Sequence, residues 1–319
     1  MSQADDATRE PGSSSQLERL LALGSARPPV RTAVVHPCDP VSLTGALEAA
    51  RLGLIEPVLV GPPQKIAAAA AEAGEDLEGI EVVSVEHSHA AAAEACRLAR
   101  SGAVEAIMKG SLHTDELLEA IVDGDTGLRT DRRMSHVFIL DVPSYPRPLF
   151  ISDAAINISP DLATKKDIVQ NAIDCALALG VLEPRVAVLA AVETVDPKMP
   201  ATLDAAALSK MAERGQIVGG LVDGPLAFDN AISPEAAETK DIVSAVAGRA
   251  DILIAPDIES GNMMAKQLAY LAGAQSAGLV MGARVPIILT SRADGRLSRL
   301  ASCAAAILVA ARSRSKPPR

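Results

Sequence analysis

Aromatic side chains are nearly missing from this chain: they make up 2% of its 319 residues, and tryptophan is absent. Its core has to be built from Ala, Val, Leu and Ile, a mix that favours helices packed on a sheet. No aromatic platform is left on which single-stranded nucleic acid could stack its bases. Positive charge is also short, with a formal net charge of −10. Nucleic acid needs a basic face, so it is not an expected partner. An anionic ligand would have to meet a local positive pocket. No apolar run nears the roughly 18 residues that span a bilayer. The opening MSQADDATREPGSSSQ lacks the apolar centre of a signal peptide. We expect a cytoplasmic protein with no membrane association. Cys38, Cys96, Cys175 and Cys303 form no CxxC pair, which argues against a disulfide frame or a structural metal. Neither GxxxxGK[ST] nor a GxGxxG after a strand is present. A P-loop or Rossmann cofactor turn is therefore not expected, which leaves open a nucleotide-containing ligand held another way.

The length is enough for two domains. Residues 1–28 read as a flexible tail with a short helix around Leu17 to Leu23. From there apolar strands and helices alternate: strands at 31–36, 57–61, 80–85 and 106–108, helices at 41–52, 67–73 and 90–100. That rhythm means βαβ units and a mostly parallel sheet covered on both faces. It changes after Thr114. A helix and a polar loop, DGDTGLRTDRR, lead to two strands, Ser135 to Val142 and Leu149 to Ser152, joined too closely for a crossover. An antiparallel hairpin follows, and we expect a domain boundary near residue 143. Alternation resumes with helices at 162–179, 201–214 and 234–248 and strands at 186–190, 217–222 and 252–255. A helix capped by Asn262, apolar strands at 277–281 and 286–290, and a last helix from Leu297 to Ala311 complete the chain.

Several clusters sit where a buried strand gives out, the edge at which open α/β sheets bind ligands. Ser291, Arg292 and Asp294 follow the strand at 286–290. Met108-Lys109-Gly110-Ser111 turns from a strand into a helix, so Lys109 and Ser111 either help amides hold an anion or form an ordinary turn. Arg129, Arg132 and Arg133 either grip phosphate or pair with Asp123, Asp125 and Asp131. Asp153 either lines a cleft or caps nearby amides. Lys198 and Asp229 follow two further strands and belong to the same kind of rim. His87 and His89 lack a third ligand at usable spacing, so no metal site is expected.

The long stretch PDIESGNMMAKQLAYLAGAQSAGLVMGARVPIILTSRADG, with GPLAFDNAIS, VDPKMPATLDA and RRMSHVFILDVP, resembles the phosphate acetyl/butyryl transferases from about Val30 to Ala310. The resemblance implies two α/β/α domains with mostly parallel sheets, related to isocitrate and isopropylmalate dehydrogenases, with the active site in the interdomain cleft. It implies a discontinuous first domain, 29–143 plus 286–319, and a second domain at 144–285. It also implies reversible acyl transfer between CoA and orthophosphate, a homodimer, and no prosthetic group, CoA and acyl-CoA being substrates. Carried over by residue, Ser291 meets the thioester oxyanion, while Arg292 and Arg133, with Arg132 beside it, hold phosphate. The acetyl-specific members carry a base carboxylate about seven positions beyond the serine. Here that position is Ser298, and the nearest acid is Asp294, as in the butyryl pattern. We expect an acetyl group, with phosphate butyryltransferase as the alternative. A second alternative is a metal- and NAD(P)-dependent hydroxy-acid dehydrogenase of the related fold.

Overall fold

The computed structural model describes residues 15–289 and 295–315. They form two compact units. One takes residues 17–133 and resumes at 277; the other takes 134–276 with the residues up to Gln16. The chain begins with α1 (Gln16–Ser25), β1 (Val30–Val35), α2 (Pro40–Arg51), β2 (Ile55–Gly61), α3 (Pro63–Ala73), β3 (Glu81–Ser84), α4 (Ser88–Arg100), β4 (Ala106–Lys109) and α5 (Thr114–Val122). The second unit runs β5 (Ser135–Asp141), β6 (Leu149–Ser152), α6 (Leu162–Ala178), β7 (Arg185–Leu189), α7 (Pro200–Glu213), β8 (Leu221–Leu226), α8 (Phe228–Ile232), α9 (Pro234–Thr239), β9 (Ile252–Ile254) and α10 (Ile258–Leu271). The chain returns to the first with β10 (Gln275–Met281), β11 (Ile287–Ile288) and α11 (Arg296–Ser315).

The first unit's strands lie in the order β3-β2-β1-β4-β11-β10. All neighbours are parallel except β10 and β11. The chain steps from β1 to β3 in one direction, then jumps back across β1 to β4. With right-handed crossovers, that reversal puts α4 on the face opposite α2 and α3. The helix contacts agree, because α2 packs on α3 and α11 while α4 packs on α5. The segments leaving β1 and β4 therefore part to opposite faces, and a crevice opens between them.

In the second unit the order is β5-β6-β9-β7-β8. β5 and β6 are the antiparallel hairpin expected from their short join, and the rest are parallel. Both cores are aliphatic. Phe150 is the one aromatic among the largest fully buried side chains, beside Leu43, Leu59, Ile107 and Ile139. Each such Leu or Ile contributes about 1.5–3 kcal/mol. Small residues then set how closely layers approach. A Cβ on Gly261 of α10 would lie 2.4 Å from the Asp153 carbonyl.

Four expectations need revision. The short helix expected around Leu17 to Leu23 is present as α1, but it is packed and not part of a tail: Leu17 and Leu20 are buried, and Ala304 lies against Gly24. α10 starts at Ile258 because Asp257 caps it, its Oδ1 accepting from the Ser260 amide at 2.8 Å. Asn262 instead sits inside the helix and donates to the Ala154 carbonyl at 3.0 Å. The helix expected over 234–248 stops at Thr239, since Ser244 Oγ draws the Val246 and Ala247 amides into a turn of their own. β8 begins at Leu221, after Gly220, whose Cβ would meet the Pro184 carbonyl at 2.7 Å. The two units part at 133/134 and 276/277, each a little before the expected bounds of 143/144 and 285/286.

Candidate active site

In the first unit, β1 and β4 run level, with Val35 beside Lys109. The residues just past them interlock. Gly110 N donates to the Val35 carbonyl at 2.9 Å and Ser111 N to the His36 carbonyl at 3.0 Å. Only glycine fits at 110, because a Cβ there would lie 2.3 Å from the Val35 carbonyl oxygen. Ser111 Oγ donates to the His36 carbonyl at 2.7 Å and accepts from Cys38 N at 3.2 Å. It also lies 3.2 Å from His36 Nδ1. Its proton is on the shortest of these contacts, so it accepts from Nδ1–H, and the ring carries its free lone pair on Nε2. His36 has φ of 52°, a conformation rare outside glycine. The bonds on either side over-determine it. Burial first, then the ammonium of Lys65, pushes the imidazole below its usual pKa of 6.5 against the pull of Glu116 and Asp39.

The corresponding edge of the second unit is rich in carboxylates, and three of them, Asp153, Asp161 and Asp257, turn to the backbone. Asp153 is buried, at 2% exposure. Its Oδ1 accepts from the amides of His136, Ala155 and Ile156 at 3.2, 3.0 and 3.3 Å. Its Oδ2 accepts from Asn157 N and Nδ2 at 2.9 and 2.6 Å. The capping alternative therefore describes Asp153. Asp161 and Asp257 cap α6 and α10 in the same way. His136 is fully buried, with its ring edge-on to Phe138 at 4.3 Å and no hydrogen bond to Nδ1. Burial drives its pKa down to about 4, although Asp153 opposes the shift. Lys165, also buried, pairs with Asp204 at 2.7 Å and ties α6 to α7.

Other expected residues are more open. Lys109 is half-buried at the end of β4. Arg132 is half-buried and Arg133 exposed. Among the described residues Asp123 does not pair with them. Its Oδ1 accepts from Thr126 N and Oγ1 and from Asp125 N, and those bonds hold its carboxyl below the usual range. Lys198 is exposed, with its backbone turned to Asp196. Asp229 is exposed 4.0 Å from Lys240, which also holds Glu193 at 2.8 Å. Ser291, Arg292 and Asp294 lie outside the described residues, just beyond β11. β11 is parallel to β4, with Ile288 level with Met108, so it ends at the same edge as His36, Lys109 and Ser111. His36 and Lys65 were not singled out from the sequence. Their one signal is a histidine directly after a buried strand.

Residues 90–307 match the family model described as phosphate acetyl/butaryl transferase. The chain is 60% identical over 307 residues to a phosphate acetyltransferase of Rhizobium meliloti, covering 96% of this chain and 97% of the relative. It is 41% identical to a phosphate butyryltransferase of Clostridium acetobutylicum, over 88% of this chain and 93% of that protein. Among solved structures, a branched-chain phosphotransacylase from Enterococcus faecalis matches with a TM-score of 0.76 at 29% identity, over 88% of this chain and 99% of the other.

Proposed function

The chain belongs to the phosphate acetyl/butaryl transferase family, and from that membership we infer that it moves an acyl group reversibly between the thiol of coenzyme A and orthophosphate. The observation that carries this is the 60% identity to a phosphate acetyltransferase over 96% of the chain. Identity to the butyryltransferase is 41%, so we assign acetyl as the acyl group.

In this reading Ser291 donates to the thioester oxygen as it gains charge, and Arg292 with Arg133 grips the phosphate. Asp294 either takes the thiol proton or orients Arg292. Lys109 and Arg132 add positive charge, and the exposed Lys198 offers an ammonium to the phosphates of CoA. Asp229 restrains Lys240. Ser111 and Asp153 shape their loops through the bonds described above and need not touch substrate. No covalent intermediate is required, because positioning and charge stabilisation suffice for direct attack. The measurement is phosphate-dependent release of CoA from acetyl-CoA and butyryl-CoA. We expect the acetyl thioester to react faster and Arg292→Ala to lose about 100-fold or more. If neither thioester reacts with phosphate, the assignment fails; if Arg292→Ala keeps full activity, the site fails.

We place the enzyme in the cytoplasm. All four cysteines are free thiols, and no helix among the described residues is long and apolar enough to cross a membrane. We also assign a homodimer. On α10, Met263, Tyr270 and Leu271 are 57%, 82% and 86% exposed. Beside them Phe228, Met264, Leu268 and Leu271 line an open groove of about 460 Å³. A second copy of the same helix face supplies matching apolar area about a two-fold axis. Light scattering should give twice the chain mass, falling to the monomer in Leu271→Asp. A wild-type monomer at micromolar concentration overturns the assignment.

A further inference from the structure

We propose that His36 is a catalytic residue of the acyl transfer: its Nε2 takes the proton from the thiol of CoA when acyl phosphate is the acyl donor. The proposal rests on the acyltransferase reading above and names a group for a step which that reading leaves open. In that step the S–H bond breaks and the proton goes to Nε2. The sulfur forms a bond to the acyl carbon, and phosphate departs with the electrons of the C–O bond. In the reverse direction the imidazolium returns the proton to the departing thiolate.

Three independent features of the first unit support it. The first is place. His36 stands at the C-terminal end of β1 beside the end of β4, where the chain reverses direction across the sheet and the following segments part to opposite faces. The second is preorganisation. The Ser111 hydroxyl fixes the ring at Nδ1, the Gly110 backbone is pressed against the His36 carbonyl, and the histidine is kept at φ of 52°. A non-glycine residue held there is strained unless its surroundings fix it. The fold maintains that conformation for a side chain whose Nε2 makes no hydrogen bond to any described residue. The third is charge. Lys65 is exposed on α3, makes no ion pair among the described residues and acts on the His36 ring. An ammonium beside the ring keeps the imidazole neutral and ready to accept a proton, and it favours the thiolate that results. Facing the same ring are Glu116 on α5, already paired with His89 at 2.7 Å, and Asp39, spent on capping α2. The Cys38 thiol beside it is raised by burial and stays protonated.

The test measures kcat/KM for CoA with acetyl phosphate across pH in wild type, His36→Gln, Lys65→Met and Glu116→Gln. His36→Gln should lose about 100-fold at pH 7 with KM for acetyl phosphate unchanged, and should recover as pH rises and the thiol ionises unaided. The two charge variants leave the histidine and its turn intact, so they answer even if His36→Gln misfolds. Removing Lys65 should move the acid limb to higher pH, and removing Glu116 should move it lower. An active wild type with a His36→Gln variant within about threefold of it, or acid limbs that stay put in both charge variants, overturns the proposal alone. A wild type with no exchange between thiol and phosphate overturns the acyltransferase reading and this proposal together.

Discussion

Past β4, Ser111 holds a histidine by one ring nitrogen and leaves the other to the outside. Past β6, Asp153 spends both carboxylate oxygens on the amides of its own loop and of His136. The two edges use polar residues for different ends. In the first unit the hydroxyl serves a second side chain, which remains chemically available. In the second the carboxylate is an end in itself, because a turn with four amide donors converging needs an acceptor. A polar residue at a strand end thus says little about function until its lone pairs are accounted for.

The sharpest way to break this contrast is to delete each anchor. Asp153→Ala leaves the buried N–H of His136 and the part-buried N–H groups of Ala155, Ile156 and Asn157 without their acceptor. It should cost about 4 kcal/mol in urea unfolding. Ser111→Ala removes one hydroxyl from a half-buried turn and should cost about 1 kcal/mol. Equal losses would mean that the two edges are built alike, and the distinction would go.

How much of this was readable in advance follows from where each partner lies. Parallel strands buried on both faces leave near-continuous apolar runs, so the βαβ rhythm was legible. So was the β5–β6 hairpin, from its short join. Asp153 was half legible. Its donors Ala155, Ile156 and Asn157 are near in sequence, but the His136 amide reaches it only through the register of β5 on β6. His36 showed only as a histidine directly after a buried strand, and its orientation was not legible, since the serine that orients it is 75 residues away. The start of α10 was misread because Asp257 and Asn262 are both good caps. Asp257 prevails because Ser260 supplies both an amide and a hydroxyl to it. Ser291 and Arg292 were legible as a polar cluster at the end of an apolar strand, but their roles came only from the family resemblance.

A smaller effect sharpens the contrast from the other side. The two histidines of these edges both have lowered pKa values, but His136 is sealed in and has no partner for Nδ1. In the unfolded chain it takes a proton near 6.5; in the folded chain it does so near 4. Between those values the unfolded state binds the additional proton, so stability is intact above pH 6.5 and is lost as pH falls towards 4. The loss from this one group is on the order of 3 kcal/mol. His136→Phe keeps the ring edge-on to Phe138 and removes the titration. Urea midpoints at pH 7.5, 6 and 5 should therefore fall less steeply in His136→Phe than in wild type. Lys65→Met, which acts on the half-buried His36 and the neighbouring Cys38, should leave that slope nearly unchanged. If His136→Phe and wild type lose stability in parallel, the acid sensitivity of the second unit belongs to its carboxylates, with Asp153 the first to examine.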